Sequence, residues 1–232
     1  MSRILSLTGL WALILSVGVF TGCSDDDESP TTPTPTQTAR VMAVHASPDA
    51  PGVDVLVDNV KVNSTPLTFP NNTSYLTVNA GTRNVKVNVA GTTTTVIEAN
   101  LPVAANAVYS VWATDSVATL TPIVLLDTLT TPANNFAHVR FVHLSPNAPA
   151  VDVAVTGGPV LFANRAFQQY TAFTPVAVGT YNLEVRLAGT LTVVLSIPGV
   201  ALANGKIYTV WASGFVGGTG TQALAARIIA NN

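Results

Sequence analysis

The chain has 232 residues, of which 48% are hydrophobic and only 9% charged, and its abundance of Thr, Val, Ala and Asn favours pleated strands and turns over helices. Ten Lys/Arg stand against twelve Asp/Glu for a formal net charge of -2; with no basic run or stripe, the electrostatic footprint of nucleic-acid binding is absent. The single cysteine, Cys23, excludes an intramolecular disulfide, a cysteine metal cluster and a catalytic thiol in the body of the chain.

In chain order, Arg3 gives a short positive start and Ile4 to Phe20 forms an apolar stretch, with the proportions of a signal peptide more than of a membrane span. Thr21-Gly22-Cys23 resembles the lipobox of bacterial lipoproteins, although Phe20 stands where that pattern usually has Leu. The resemblance implies removal of residues 1–22 and acylation of Cys23, which would bind the chain to a membrane because two or more acyl chains anchor stably. The alternative is cleavage at another small residue, leaving a free thiol.

Ser24-Asp25-Asp26-Asp27-Glu28 resembles an export signal that directs lipoproteins of some Gram-negative bacteria to the outer membrane, and it reads equally well as a solvated spacer. Ser29 to Thr38 is built from Ser, Pro, Thr and Gln and cannot form a core. At ~3.1 Å per residue, the tether beyond Cys23 could hold a folded body up to about 45 Å from a bilayer. The expected location is the outer membrane, at the cell surface or the periplasmic face.

The remainder is a duplication. His45-Ala46-Ser47-Pro48-Asp49-Ala50-Pro51-Gly52-Val53-Asp54-Val55-Leu56-Val57 aligns with His143-Leu144-Ser145-Pro146-Asn147-Ala148-Pro149-Ala150-Val151-Asp152-Val153-Ala154-Val155, with nine identities in thirteen. Ala90-Gly91-Thr92 meets Ala188-Gly189-Thr190, and Tyr109-Ser110-Val111-Trp112-Ala113 meets Tyr208-Thr209-Val210-Trp211-Ala212. Repeats are expected at 39–130 and 137–232, joined by a linker at 131–136. Each carries the full motif set, which predicts that each folds largely on its own.

Within the repeats the period is two: Val85, Val87 and Val89 alternate with Asn84, Lys86 and Asn88, as do Leu183, Val185 and Leu187 with Asn182, Glu184 and Arg186. Further strands are predicted at 40–44, 53–57, 74–78, 94–98, 108–114 and 121–126. Seven or so short strands in about a hundred residues, separated by Pro, Gly and Asn turns, predict an all-β chain of two tandem immunoglobulin-like β-sandwich domains.

The repeated signature His-x-Ser-Pro-x-Ala-Pro-x-Val-Asp-Val, with Gly-Thr before a Val-x-Val strand and a later Tyr-[Ser/Thr]-Val-Trp-Ala, resembles the bacterial domain-of-unknown-function family 4397. The resemblance covers about Ala39 to Ile229. It implies an exported, often lipid-anchored bacterial protein, and offers no catalytic residues to carry over.

Three constellations could carry chemistry. His45, Ser47 and Asp54 are the material of a nucleophilic triad, but Ser47 precedes Pro48 in a turn, with no elbow or glycine-rich oxyanion segment. His45, Asp49 and Asp54 could ligate a metal, yet Asn147 replaces Asp49 in the second copy. The structural alternative makes His45, Asp54, His143 and Asp152 parts of a built corner, the carboxylates accepting turn amides or orienting imidazoles. Trp112 and Trp211, on strand faces opposite Tyr109 and Tyr208, would be stacking platforms if exposed; packing in the sandwich or between domains is the preferred alternative.

These features predict a non-enzymatic envelope lipoprotein, without cofactor or metal, that displays a binding or adhesive surface to a glycan or an envelope protein. A structural or assembly component of the outer membrane is the second reading, and a metal-binding module or hydrolase the last.

Overall fold

The computed structural model describes residues 36–232; the leader, Cys23 and the acidic run lie outside the described residues. Eight strands form the first half: β1 (Thr38–His45), β2 (Val53–Val57), β3 (Val60–Lys61), β4 (Leu76–Asn79), β5 (Gly81–Val89), β6 (Thr95–Val103), β7 (Val108–Thr114) and β8 (Thr121–Leu126). Eight more form the second: β9 (Phe136–His143), β10 (Val151–Val155), β11 (Val160–Arg165), β12 (Thr174–Ala177), β13 (Gly179–Leu187), β14 (Val193–Leu202), β15 (Ile207–Ser213) and β16 (Ala225–Ala230). The all-β expectation holds, and the short β3 is a strand that sequence periodicity did not reveal.

Each half makes two four-stranded sheets in the same order. The first has β4-β1-β7-β8 and β3-β2-β5-β6; the second has β12-β9-β15-β16 and β11-β10-β13-β14. The pairings β1–β7 and β9–β15 are parallel. Ala39, Val41 and Val78 meet Val85, Leu101 and Val103 to make one part of the first sandwich core, while Val139, Phe141 and Val210 meet Val153, Phe162 and Val185 in the second. The strand β5 alternates because its other face meets solvent. In β1 the run Val41-Met42-Ala43-Val44 is apolar throughout because both of its faces are covered.

What covers the outer face of β1 is the other half of the chain. Met42, Val44, Trp112 and Leu125 pack in one buried cluster with Val142, Leu144, Trp211 and Ile229. The two sheets carrying β1 and β9 therefore lie between the outer pair, as the middle layers of a four-sheet stack. Trp112 and Trp211 meet edge to face at the centre, ring centroids 5.4 Å apart at 76°. Contacts at the margin come from both halves: Phe69 sets its ring edge-on to Trp211, and Gln168 Nε2 donates to Thr114 Oγ1 at 3.0 Å.

A closed polar ring lies inside this apolar contact. Arg140, on β9, pairs through Nη1 with Asp127 at 2.7 Å, and both side chains are almost fully buried. Its Nε donates to Thr209 Oγ1 at 2.8 Å, Thr209 to Asn231 Oδ1 at 2.8 Å, Asn231 to the Tyr75 hydroxyl at 2.9 Å, and Tyr75 to Asp127 Oδ2 at 2.6 Å. Ser110 braces the ring, accepting from Arg140 and from Trp112 Nε1 and donating to Asp127 Oδ1. Phe173 lies under the guanidinium, its ring centroid 4.6 Å away.

The interface changes the expectation for an isolated half. Residues 133–232 alone would expose Trp211, Val142 and Leu144 and leave Arg140 without its carboxylate. The described residues belong to one compact unit, and a single cooperative unfolding transition is expected for the whole chain.

Breaking a buried ion pair on one side strands a charge, at a cost of about 3–5 kcal/mol, whereas replacing both partners is far cheaper. Asp127→Ala should therefore lower the urea-unfolding free energy by about that amount. The double variant Arg140→Met/Asp127→Asn, which places at each site the residue type its counterpart already carries, should recover most of the loss.

Candidate functional site

The repeated signature builds a corner at the end of each sandwich. His45 ends β1, and its Nε2 lies 3.0 Å from the Pro51 carbonyl; His143 makes the same contact to Pro149 at 3.1 Å. A carbonyl can only accept, so Nε2 carries the proton in both rings. Burial dominates the charge balance and lowers both imidazole pKa values, against the raising effect of the backbone bonds.

Asp54 and Asp152 each accept from a glycine amide in the left-handed conformation at a hairpin turn. Gly91 N–H reaches Asp54 Oδ2 at 3.0 Å and Gly189 N–H reaches Asp152 Oδ2 at 2.9 Å. The Val-Asp-Val and Ala-Gly-Thr pieces of the signature are thus two ends of one tie. Their second oxygens differ. Asp54 pairs with Lys61 Nζ at 2.7 Å, and Lys61 followed by the Gly91 bond holds its carboxyl below the usual range. Asp152 instead accepts the Asn164 amide at 2.7 Å.

This geometry does not assemble the triad. Ser47 is fully buried, His45 is turned to Pro51, and Asp54 is spent on Gly91 and Lys61. Nor does it assemble the metal set. Asp49 accepts the Val117 amide at 2.8 Å, and among the described residues no three His, Asp, Glu or Cys side chains are placed to hold an ion. Asn147 repeats the role of Asp49, accepting the Val216 amide at 2.8 Å, so the exchange between copies preserves the one interaction in use. Trp112 and Trp211 are buried at 0% and 1% exposure and offer no stacking platform.

Two apolar recesses remain. One, of about 120 Å³, lies inside the first sandwich among Val41, Val55, Val85, Val87 and Ile97. The other, of about 400 Å³, opens beside His143 among Val151, Leu187, Leu195, Val216 and Leu224. Neither was foreseen from sequence. Arg140 and Asp127 also escaped notice, although Arg140 shares a strand face with Val142 and Leu144, where period two marks a charge as misplaced.

Residues 39–154, half of the chain, match the family described as Domain of unknown function (DUF4397). The chain belongs to this family. Within the DUF4397 match lie the first half from Ala39 onward, both His-x-Ser-Pro segments and β10 up to Ala154. No curated protein matches the sequence. Among solved structures, the chain is similar to a carbohydrate-binding module of family CBM26 from Eubacterium rectale, in complex with maltoheptaose. The identity is 10% and the TM-score 0.28, covering 82% of this chain and 96% of that one.

Two outcomes follow for this DUF4397 protein. Asp49→Asn should change stability by no more than about 0.5 kcal/mol, as for a surface exchange that keeps its acceptor, and a chelator should leave the melting temperature of wild type and variant unchanged. For the histidines, folded pKa values below the unfolded value of about 6.5 mean that below this pH the unfolded chain binds protons the folded chain refuses. Stability should therefore be fully present above pH of about 6.5 and fall on acidification toward the folded pKa. His45→Gln/His143→Gln should flatten that part of a urea-midpoint profile.

Proposed function

We propose that the chain is a non-catalytic, lipid-anchored envelope protein. In this reading its tandem, immunoglobulin-like sandwiches form one rigid binding or display body on a tether. The observation that carries the non-catalytic part is the engagement of the signature's polar groups: His45, Asp49 and Asp54, with their counterparts His143, Asn147 and Asp152, each hold a turn together. A reactive site needs a nucleophile within reach of its base, and here the imidazole is bonded to a proline carbonyl.

One feature, present in both halves, supports the immunoglobulin-like description. Tyr109 and Tyr208 accept, through their hydroxyls, the amides of Ala104 and Ala203 five residues upstream, which is the geometry of a tyrosine corner. The leader, the lipobox-like Thr21-Gly22-Cys23 and the Thr/Pro tether support anchoring and the outer membrane.

A second reading, recognition of another envelope protein, is favoured by an apolar margin at the tip between β13 and β14. Leu191 is 82% exposed, with Val193 and Val194 beside it in sequence and Val216 on the nearby cleft. The first half carries Thr93 and Thr95 where the second has Leu191 and Val193.

Replacing Cys23 by Ser tests the anchor. The variant should leave the membrane fraction or accumulate unprocessed, and unchanged membrane association would refute the lipoprotein reading. Protease added to intact cells then separates display from internal assembly, since only an outward-facing chain is cut.

A further inference from the structure

We propose that the interior of the first sandwich binds a medium-chain carboxylate, its hydrocarbon tail in the Val-lined cavity and its head on Arg83. This deepens the binding reading by naming a ligand class.

The second half supplies the internal comparison. There Phe141 and Phe162 stack with centroids 6.3 Å apart and planes at 12°, and the corresponding space is divided into a remnant of about 10 Å³ beside Phe162 and the separate recess beside His143. In the first half Ala43 stands at the Phe141 position. Phe162 pairs with Val153, and Val55, the counterpart of Val153, accepts the Val62 amide at 2.9 Å. Val62 therefore takes the place of Phe162. Two phenyl rings are missing and the backbone has not closed over the gap, which leaves about 120 Å³ of space.

The wall of that space is mostly aliphatic, with His45, Arg83 and Asn100 its only hydrogen-bonding side chains besides Trp112, so it suits an apolar tail better than a sugar with many hydroxyls. Apolar cavities of roughly 150 Å³ stay dry and take up benzene, so this one suits a chain of about six carbons by the same measure. Its lining includes partly exposed residues, Val124 at 42% and the Arg83 side chain at 26%.

The head group is argued from Arg83. In the second half Tyr181 holds this position and packs on the core, its hydroxyl donating to the Ala177 carbonyl at 2.8 Å. Arg83 shares the inward face of β5 with Val85 and Val87, lines the same cavity, and is only 26% exposed along its side chain. Its Nη1 pairs with Asp58 at 3.0 Å, while its Nε is shielded and has no partner within the protein. A carboxylate at the cavity mouth would supply that acceptor, since a guanidinium can serve more than one carboxylate.

The test uses the full chain carrying Cys23→Ser, purified without detergent so that no other tail competes, and titrated with hexanoate and with 1-hexanol. Saturable hexanoate binding with a raised melting temperature is expected, at least tenfold tighter than hexanol. Ala43→Phe should raise the melting temperature of the unliganded chain and abolish binding of both. Arg83→Met should keep hexanol binding and remove the preference for hexanoate. Val216→Arg, at the cleft of the second half, should change neither.

No saturable binding to the parent chain would overturn the site, and binding that survives Ala43→Phe would move it elsewhere. Equal affinity for hexanol and hexanoate in the parent chain would overturn the role of Arg83. If Ala43→Phe does not fold, Val62→Phe asks the same question from the facing sheet. These results are read on the soluble body, so their failure is distinct from failure of the membrane-anchor reading.

Discussion

The buried pair of Arg140 and Asp127 sets the arrangement of everything else, because it fixes how the two halves meet. Neither charge could be left in that apolar contact alone, since the effective penalty for burying an ion is several kcal/mol. The halves must therefore meet with Asp127 against Arg140, and Tyr75, Ser110, Thr209 and Asn231 complete the remaining bonds. Asp127 also pushes the Tyr75 hydroxyl pKa upward, second only to burial, which keeps that hydroxyl a donor. Hydrophobic packing alone would bring two such faces together without choosing among offsets; the ring makes one alignment fully bonded and others costly.

The duplication gives this device its logic. The counterpart of Arg140 is Met42, and Asp127 and Asn231 occupy matching places after the last strand of each half, both bonded through their amides to the strand alongside. Two identical halves would present two arginines or two methionines to each other. The difference between the halves at these positions makes the contact a directed one, with the cation from the second half and the anion from the first. The same difference appears in the cores, where the second half has Phe141, Phe162 and Tyr181 and the first has Ala43, Val62 and Arg83.

Much of the fold was legible in the sequence because its strands obey period two and its turns are punctuated by Gly, Pro and Asn. The strands β2, β7 and β8 match the ranges read from the sequence at both ends. The middle layers were harder. Val41-Met42-Ala43-Val44 and Val139-Arg140-Phe141-Val142 do not alternate, and a run of that kind says that both faces are buried without saying by what. The corner residues were legible as a group, but their partners were not. Gly91 lies thirty-seven residues from Asp54, and only the pairing of β2 with β5 brings the two together. The cavity was hidden for a related reason: Ala43 against Phe141 is visible in the alignment, whereas Val62 against Phe162 depends on a bulged pairing that breaks the constant offset.

With a single cysteine in the sequence, the chain can form no intramolecular disulfide, so long-range ties must come from packing and hydrogen bonds. The bond from His45 to Pro51, the Gly91 amide on Asp54 and the Ala104 amide on Tyr109 each close a different connection of the first half, and each recurs in the second. Individually such bonds contribute about 0.5–1.5 kcal/mol net, too little to hold a domain. Their importance is in what they forbid. Each buried acceptor or donor is satisfied only when its corner is fully formed, so a slipped strand costs the desolvation of several polar groups at once. That explains why the most repeated residues of the chain look catalytic in composition: histidine and aspartate in both halves, and Ser145 in the second, are compact groups whose polar atoms reach a backbone, and corners select such groups for that reason as active sites select them for another.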